Sequence, residues 1–356
     1  MPSWQESTAP TPEVDRKCKL AYSLVKIWPG QEQSPVNRIA QFEDMTYSGS
    51  RLDRELFQAN PAAFLENAIK EYVSSSPSNC FEAFNGGPIF DEPLVGFADG
   101  DDPIFKDYKV TIGDFHLTPR EALERHLTRK EQEEQQQQTK VSIISWVLPI
   151  TYETRLSLRR ESIVPSLRWN HTRWRGQDFI NELAHHIVSL LERLGHQAVA
   201  PELADFYQVL NLPDGFTSNW SQRHVAYAAG LGTFSLSGGF ITPRGIALRC
   251  SSVICDVPLP PNPKTYENHL ANCLFYTDGS CRRCIERCPA DAISEHGHDR
   301  KRCGEFLLDE QKAILKELGR QEDYLGYYLG CGLCQTKVPC EAGIPPKIRD
   351  NIPQRQ

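Results

Sequence analysis

The spacing of the cysteines constrains this chain more than any other sequence feature. Ten of the twelve cysteines fall within residues 250–340, and three of them form the pattern Cys281-x2-Cys284-x3-Cys288, followed by Pro289. Thiolates at such short spacings wrap one corner of a metal cluster, and a proline directly after them turns the chain away. We therefore expect this part of the chain to fold around metal.

These spacings are typical of 4Fe-4S clusters. Bacterial ferredoxins use C-x2-C-x2-C-x3-C-P, but Asp278 stands here at the first ligand position. Cys273, eight residues before Cys281, is the alternative, and we favour it because thiolate is the usual cluster ligand. A second group of cysteines follows and consists of Cys303, Cys331, Cys334 and Cys340.

The two groups are expected to exchange ligands. In two-cluster ferredoxins the fourth cysteine of each motif binds the other cluster. Applied to this chain, that rule gives a first ligand set of Cys273, Cys281, Cys284 and Cys340. It gives a second set of Cys288, Cys303, Cys331 and Cys334. A pair of zinc sites also uses C-x2-C pairs, but the x3-Cys-Pro continuation favours iron-sulfur clusters. Cys250 and Cys255 are expected to be buried strand thiols rather than ligands.

Charge and hydropathy exclude some classes of protein. The 356 residues carry a net charge of -7, so the whole chain lacks the basic field of a non-specific nucleic-acid binder. Residues 154–175 depart from this, with six arginines against one glutamate, which is either a solvated helix face or an anion-binding segment. No apolar run reaches the length of about 18 residues expected of a membrane span.

The chain is expected to be cytoplasmic. Residues 1–19 show neither the apolar core of a secretory signal nor a twin-arginine pattern. A reducing compartment disfavours structural disulfides, which agrees with clustered cysteines acting as metal ligands.

Hydrophobic periodicity places several elements upstream of the cysteines. Residues 141–148 are short, apolar and partly β-branched, which predicts a buried strand, and residues 247–254 predict a second strand. Residues 61–73 and 179–194 show apolar positions at helical spacing, and Gly195 is placed to end the later helix. A strand followed by a helix suggests an α/β core.

Three stretches resemble one family of reductases. They are GFADGDDPIFKDYK with HLTPREAL (96–123), RHVAYAAGLGTFSLSGGFITPRG (223–245) and CRRCIERCP (281–289). They resemble the corrinoid-dependent iron-sulfur reductases, namely reductive dehalogenases and epoxyqueuosine reductases, over roughly residues 96–346. The resemblance implies an α/β (α+β) fold in three parts. A helical and irregular supporting region (1–95) precedes a nitroreductase-like corrinoid-binding core (96–262) and a bacterial ferredoxin-like two-cluster domain (263–356).

The implied cofactors are cobalamin, held base-off, and two 4Fe-4S clusters. Glycines let backbone amides approach a ligand closely, and nearby hydroxyl and guanidinium groups bind a nucleotide tail. The residues that the resemblance places there are Gly230, Gly232, Ser235, Ser237, Gly238, Gly239, Thr242 and Arg244. The alternative interpretation of this segment is a tight structural turn.

Reduction at cobalt also needs a proton donor beside the substrate. Asp178, in WRGQDF, resembles the acidic position of epoxyqueuosine reductases, while Arg223, His224 and Tyr227 resemble the tyrosine-plus-basic-residue sites of dehalogenases. The alternative is that these four residues are structural.

The favoured function is a cobalamin-dependent iron-sulfur reductase that removes halide or oxygen from a small organic substrate, as reductive dehalogenases do. The expected partner is a low-potential electron donor such as ferredoxin or flavodoxin, with no membrane. The first alternative is epoxyqueuosine reduction in tRNA, which the net acidity and the short segment after Cys340 disfavour and the basic residues 154–175 support. The second alternative is a non-catalytic corrinoid-binding or corrinoid-reducing protein.

Overall fold

A computed structural model of the chain describes residues 51–127 and 140–350. Its α-helices are α1 (Arg51–Ala59), α2 (Pro61–Ser75), α3 (Ile104–Thr111), α4 (Pro119–His126), α5 (Tyr152–Arg159), α6 (Leu167–Arg193), α7 (Gln222–Ala228), α8 (Leu274–Asp278), α9 (Arg283–Glu286), α10 (Arg300–Glu305), α11 (Gln311–Glu317) and α12 (Pro346–Arg349). Its strands are β1 (Leu94–Asp99), β2 (Ser142–Pro149), β3 (Ala198–Val199), β4 (Val209–Leu212), β5 (Gly215–Ser218), β6 (Thr233–Phe234), β7 (Phe240–Ile241), β8 (Leu248–Cys255), β9 (Ile293–Ser294) and β10 (Gly297–His298).

The main sheet has four strands in the order β1-β2-β8-β3, and every neighbouring pair is antiparallel. Each residue of β2 is buried, so the predicted strand at residues 141–148 is confirmed with its bounds shifted by one. The predicted strand at 247–254 is likewise confirmed as β8. Because the sheet is antiparallel with helices around it, the fold is α+β.

Helices cover both faces of this sheet. Alternate residues of β2 point to opposite faces, so Ile144 and Trp146 pack with α1, α2 and α6. Ile143 and Val147 pack on the other face with α3, α4 and α7. The predicted fold class, a mixed α and β core followed by a cysteine-rich part, is confirmed.

The helix ends follow ordinary capping rules. The side chain of Asn60 accepts a hydrogen bond at the start of α2, and Thr118 with Glu121 forms a capping box at the start of α4. Helix α6 is confirmed, but it begins at Leu167, well before the predicted residue 179, because Ser166 supplies its N-cap. Gly195 follows α6 in the left-handed region at φ +93°, where glycine has no steric cost.

The glycine-rich segment forms a hairpin of β6 and β7 that lies against the cysteine-rich part. The amide of Phe234 donates to the carbonyl of His269 at 2.7 Å, and the Asn272 side chain donates to the carbonyl of Ile241 at 3.1 Å. Directly after the hairpin, the amide of Ile246 donates to the carbonyl of Cys340 at 2.9 Å. The hairpin therefore joins the sheet region to two cysteine-bearing segments.

Candidate functional site

Five cysteines from three segments of the chain line one small cavity. Cys281 and Cys284 flank the start of α9, Cys273 is the N-cap of α8, and Cys340 comes from the last turn-rich segment. Ser235 and Ser237 of the hairpin also line the cavity, and their hydroxyl groups are 3.0 Å apart. These four thiols are the first predicted ligand set, and the fifth cysteine of the cavity, Cys334, belongs to the second predicted set.

A second group of cysteines packs beside the first. Cys288, Cys303 and Cys331 contact the buried residues Ala290 and Phe306. Cys331 and Cys334 lie in the electrostatic field of Cys288 and Cys303. Together these thiols are the second predicted ligand set.

The position of Cys340 is compatible with the crossed ligand sets, and the ligand assignment itself stays a prediction. Cys340 interacts with Cys273, Cys281 and Cys284, although Cys334 is nearer to it in sequence. The thiol of Cys334 also lies near Cys284, so the two groups adjoin. Among the described residues, no group of three or more histidine, cysteine, aspartate or glutamate side chains is placed to hold a single metal ion.

Burial and mutual repulsion make these thiols depend on a cationic partner. Burial, followed by the nearby thiols, raises the pKa of Cys284 and of Cys303 to about 11. Burial raises the pKa of Cys331 to about 12. Four thiolates close together in low dielectric repel each other strongly, and iron offsets that repulsion. The donor set therefore fits a pair of iron-sulfur clusters.

Cys273 and Asp278, the two alternatives for one ligand position, have different surroundings in the structure. The carboxylate of Asp278 pairs with Lys347 at 2.5 Å and accepts a hydrogen bond from the amide of Ser280. The bonds from Lys347 and Ser280 lower the pKa of Asp278 to about 2. Cys273, by contrast, is buried among the first group of thiols. This placement favours Cys273 as the ligand.

Helix α6 holds the loop that leads into the second group of thiols. The Asn170 side chain donates to the carbonyls of Leu325 and Leu329, at 3.1 and 3.0 Å, and accepts from the amide of Leu325 at 2.7 Å. The indole of Trp174 donates to the carbonyl of Tyr328 at 3.0 Å. At Gly332 a Cβ atom would lie 2.1 Å from the Trp169 ring, so only glycine fits there.

A polar cleft lies beside the second group of thiols. Its lining residues retain solvent access, yet desolvation by the surrounding protein is the largest influence on the pKa of several of them. The electrostatic effects of these residues on each other's pKa values place them close together. We call it the central cleft, and its residues are Arg173, Glu202, Arg223, Arg249, Cys250, Tyr328 and Cys334.

Cys250 and Cys255 both lie in strand β8, as predicted, but only Cys255 is fully buried. Cys250 is only half-buried and lies near Arg223 and Arg249. Its position near the start of β8 places it at the cleft. Burial nevertheless raises its pKa to about 12, which disfavours the thiolate.

The predicted corrinoid-binding residues have internal partners in the described structure. A Cβ atom at Gly232 would lie 2.3 Å from the carbonyl oxygen of Ile241, and one at Gly239 would lie 2.7 Å from Ile246. Ser235 bonds to Ser237, and the hydroxyl of Thr242 donates to the carbonyl of Gly245 at 3.0 Å. The amide of Arg244 donates to Thr242. Gly230 and Gly238 adopt positive φ, beside Pro263 and His298 respectively. These contacts are typical of the structural turn, so the corrinoid role of this segment stays a prediction.

Three of the four predicted proton-donor residues, Arg223, His224 and Tyr227, share helix α7, whereas Asp178 lies on α6. The ring of His224 packs against Tyr108 and Phe234, and its Nδ1 lies 2.8 Å from the Ser221 hydroxyl. Burial, then Arg223, lowers the pKa of His224 to about 3, so this ring is neutral and a poor acid near pH 7. Their catalytic roles stay predictions.

Of the remaining three residues, only Arg223 is among the residues of the central cleft. Arg223 donates a hydrogen bond to the carbonyl of Gly238 and lies in the electrostatic field of the Cys334 thiol. Tyr227 is half-buried and packs against Phe234. Asp178 is exposed on α6 and lies 3.7 Å from Arg175.

The basic residues 154–175 form internal contacts rather than one solvated face. Arg159 pairs with the buried carboxylate of Glu341 at 2.8 Å, and Arg155 lies 3.8 Å from it. Arg168 stacks over the ring of Phe81, and Arg173 donates to the hydroxyl of Tyr328. Sequence reasoning missed that Arg173 and Arg249 meet in the cleft. The only signals available for them were the run of arginines and the position of Arg249 beside Cys250.

Comparison with known families shows which class of domain the cysteine-rich part belongs to. Residues 279–341 match the family model of the 4Fe-4S double cluster binding domain, so this part of the chain is a domain for two 4Fe-4S clusters, as predicted. The zinc alternative is not supported.

The curated relatives are epoxyqueuosine reductases. The chain is 34% identical over 131 residues to the enzyme of Bacillus anthracis, a match that covers 36% of this chain and 31% of the relative. It is 26% identical over 166 residues to the Synechocystis enzyme, covering 46% of this chain and 52% of the relative. The match to the Bacillus relative therefore spans about a third of that protein's length. The resemblance to corrinoid and iron-sulfur reductases is confirmed.

Two solved structures show a distant likeness. The epoxyqueuosine reductase of Bacillus subtilis aligns with a TM-score of 0.40 at 18% identity, covering 81% of this chain and 68% of that one. A reductive dehalogenase, whose structure is described as suggesting a mechanism for B12-dependent dehalogenation, aligns with a TM-score of 0.43 at 14% identity. The alignment covers 88% of this chain and 42% of that one. Among the described residues, no helix has the length and apolar character needed to cross a membrane.

Proposed function

We propose that this protein is a reductase in which two 4Fe-4S clusters pass electrons to an acceptor in the central cleft. The observation that carries the proposal is the adjoining, crossed arrangement of eight thiols, with Cys334 of the second set beside Arg223 of the cleft. One thiol set thus lies at the cleft while the other lies farther along the electron path. An electron donor such as ferredoxin or flavodoxin would supply the first set.

The proposed substrate is epoxyqueuosine in tRNA. Each curated relative cited above is an epoxyqueuosine reductase, and this supports the tRNA alternative better than the small organic substrate favoured from sequence. Removing the epoxide oxygen as water consumes two electrons and two protons. The clusters supply the electrons, and Tyr227 and Asp178 are the candidate proton donors.

The proposed acceptor is cobalamin, whose cobalt, when bound, supplies the centre for carbon–oxygen bond cleavage. The central cleft suits such a polar cofactor because it offers the donor groups of Arg223, Arg249 and Tyr328. The hairpin is less suited than expected, since its glycines are packed against protein atoms. The chain's own residues would bind and orient the cofactor and exclude water from the substrate.

The test is a single turnover of an RNA stem-loop that carries epoxyqueuosine. Protein reconstituted anaerobically with iron, sulfide and cobalamin is reduced and mixed with the RNA, and the nucleosides are measured by mass spectrometry. Wild type is expected to yield queuosine, and a Cys334→Ala variant is expected to yield none. Cobalamin bound without any loss of oxygen from the RNA would contradict the substrate and support the non-catalytic alternative. Conversion of an aryl halide instead would support the dehalogenase-like alternative.

A further inference from the structure

Two guanidinium groups meet in the central cleft around one amide side chain. Arg249, on β8, donates to Oε1 of Gln177. Gln177 lies one helical turn after Arg173 on α6, so the two side chains share a face. Arg173 in turn donates through Nε to the hydroxyl of Tyr328 at 2.6 Å. A guanidinium has five N–H donors, so both arginines retain donors for another partner.

Neither charge is neutralised by an ion pair in the described part of the chain. The hydrogen-bond partners of Arg173 and Arg249 there are a phenol and an amide. By contrast, Arg159 pairs with Glu341 at 2.8 Å, and Arg175 lies 3.6 Å from Glu82. Two like charges facing each other in a desolvated cleft are unfavourable. The carboxylate of Glu202 lies in the electrostatic field of both guanidinium groups and offsets one of the two charges. A bound anion would offset the charge that remains.

Aromatic rings stand beside these arginines. Trp174 packs edge-on against Tyr327 and Tyr328, with ring centroids 5.3 and 5.4 Å apart. The guanidinium of Arg173 lies over the Trp174 and Tyr328 rings at 5.4 and 5.1 Å. Tyr327 is 68% exposed, which leaves a ring face open to a ligand. Aromatic faces next to guanidinium groups are a common arrangement for holding a base together with its phosphate.

We propose that Arg173 and Arg249 bind the phosphate of a nucleotide, with its base against the ring of Tyr327. The fork of a guanidinium matches a phosphate through two parallel hydrogen bonds, which an ammonium group does not reproduce. The inference rests on the proposed function, because it places a ligand of that reaction in the cleft. The nucleotide is either the tail of the corrinoid or part of the RNA substrate.

The first experiment measures binding of adenosine 5′-monophosphate and of adenosine to the reconstituted protein by anaerobic calorimetry. Wild type is expected to bind the nucleotide at least tenfold more tightly than the nucleoside. Arg249→Gln and Arg173→Gln are expected each to weaken nucleotide binding at least tenfold, which is about 1.4 kcal/mol. Arg51→Gln, a surface arginine already paired with Glu55, is the control and is expected to bind as wild type.

Iron content and near-ultraviolet circular dichroism verify that each variant is folded, and Arg249→Lys tests the geometry. Lysine keeps the charge but loses the fork, so this variant is expected to bind more weakly than wild type. Equal affinity for nucleotide and nucleoside in wild type, or unchanged affinity in both glutamine variants, would overturn the inference.

The second experiment separates the two sources of the nucleotide. Cobalamin retention and RNA stem-loop affinity are measured for wild type and Arg249→Gln. Loss of cobalamin retention in Arg249→Gln assigns the site to the cofactor tail, and loss of RNA stem-loop affinity assigns it to the substrate. If both ligands bind the variant as well as wild type, the inference fails. If neither binds wild type while adenosine 5′-monophosphate does, the proposed function fails and the nucleotide site stands.

Discussion

Arg287 places a positive charge beside the second set of thiols. Its guanidinium donates to the carbonyl of Thr336 at 3.2 Å, to the Thr336 hydroxyl at 3.3 Å and to the carbonyl of Glu161 at 2.9 Å. These three acceptors are uncharged, and the guanidinium lies in the field of Cys331 and Cys334. A fixed cation near a cluster favours its reduced, more negative state.

We predict that Arg287→Gln lowers the reduction potential of the second cluster by on the order of 50 mV. A unit charge acting over about 10 Å at an effective dielectric constant of about 20 contributes roughly 1.7 kcal/mol. For a one-electron couple, about 59 mV corresponds to a tenfold change in the equilibrium constant. The measurement is a potentiometric titration followed by electron paramagnetic resonance.

The matched control is Arg283→Gln, because Arg283 is exposed and already pairs with Glu286. It is expected to leave both potentials nearly unchanged. Equal shifts in the two variants would show that Arg287 acts only through the net charge of the protein.

His116 is a second residue whose surroundings fix its charge. It is fully buried, its Nε2 accepts a hydrogen bond from the amide of Ser221 at 3.1 Å, and its ring stacks on Trp220. Burial lowers the pKa of His116 to about 4 from an ordinary value of 6.5. The imidazole is therefore neutral in the folded protein at physiological pH.

We predict an acid destabilisation that depends on His116. The unfolded chain takes up a proton at this residue as pH falls through about 6.5, while the folded chain resists protonation until about pH 4. Stability is full above pH 6.5 and declines by about 3 kcal/mol across that window. His116→Gln, which keeps an acceptor without a titrating ring, should flatten the decline.

Two measurements check this prediction. Carbon-13 spectra of labelled histidine should show no titration of His116 above about pH 5, and chemical unfolding at several pH values gives the slope. A resonance for His116 that titrates near pH 6.5 would contradict it.

At the scale of elements, α6 supports the second set of thiols from outside the cysteine-rich sequence. Three hydrogen bonds of Asn170 fix the loop at Leu325 and Leu329. We predict that Asn170→Ala costs about 2–4 kcal/mol by leaving buried backbone groups without partners. The loop that carries Cys331 should then loosen, so iron should leave the second cluster first.

The measurement is iron release to a chelator, followed by electron paramagnetic resonance of the cluster that remains. His185→Ala, an exposed position on the same helix, serves as the control and should lose iron at the wild-type rate. Simultaneous loss of both clusters in Asn170→Ala would mean that α6 stabilises the whole fold rather than this loop.

The elements themselves show where sequence reasoning works. Strand β2 was predictable because eight buried residues in a row leave a clear apolar run. The first three turns of α6 were missed because they carry His171, Arg173 and Trp174, whose contacts are with a loop more than 150 residues later. Such tertiary partners leave no periodic pattern in the local sequence. The glycine-rich hairpin was recognised as a turn, but its docking on Cys340 depends on the same kind of distant contact.

At the scale of the whole molecule, two contacts join the sheet region to the segment that carries Cys340. One is the hairpin, where the amide of Ile246 bonds to the carbonyl of Cys340. The other is the buried carboxylate of Glu341, which pairs with Arg159 and accepts from the amide of Lys337. The first set of thiols therefore forms only when the upstream part is folded, since Ser235 and Ser237 complete its cavity. For this reason a large side chain at Gly239, which would press on Ile246 and Ser237, is expected to disturb both the hairpin and the first cluster.

The nearness of Cys340 to the thiols of the first set could be predicted from sequence because it follows from the topology of a repeated motif. Which cleft residues face the two sets could not be predicted. Arg173, Arg249 and Tyr328 come from a helix, a strand and a loop that no spacing rule connects.

The crossed arrangement makes its own prediction for Cys340. Its thiol lies among Cys273, Cys284 and Cys281, so Cys340→Ala should alter the resonance of the same cluster that Cys281→Ala alters, and should cost about four irons. The resonance disturbed by Cys334→Ala should be unaffected, although Cys334 is six residues from Cys340. Cys255→Ala, which removes a buried thiol of the sheet, controls for general loss of packing and should retain both signals. Matching spectra for the Cys340 and Cys334 variants would show that each cluster takes its ligands from consecutive cysteines, and the crossed assignment would then be wrong.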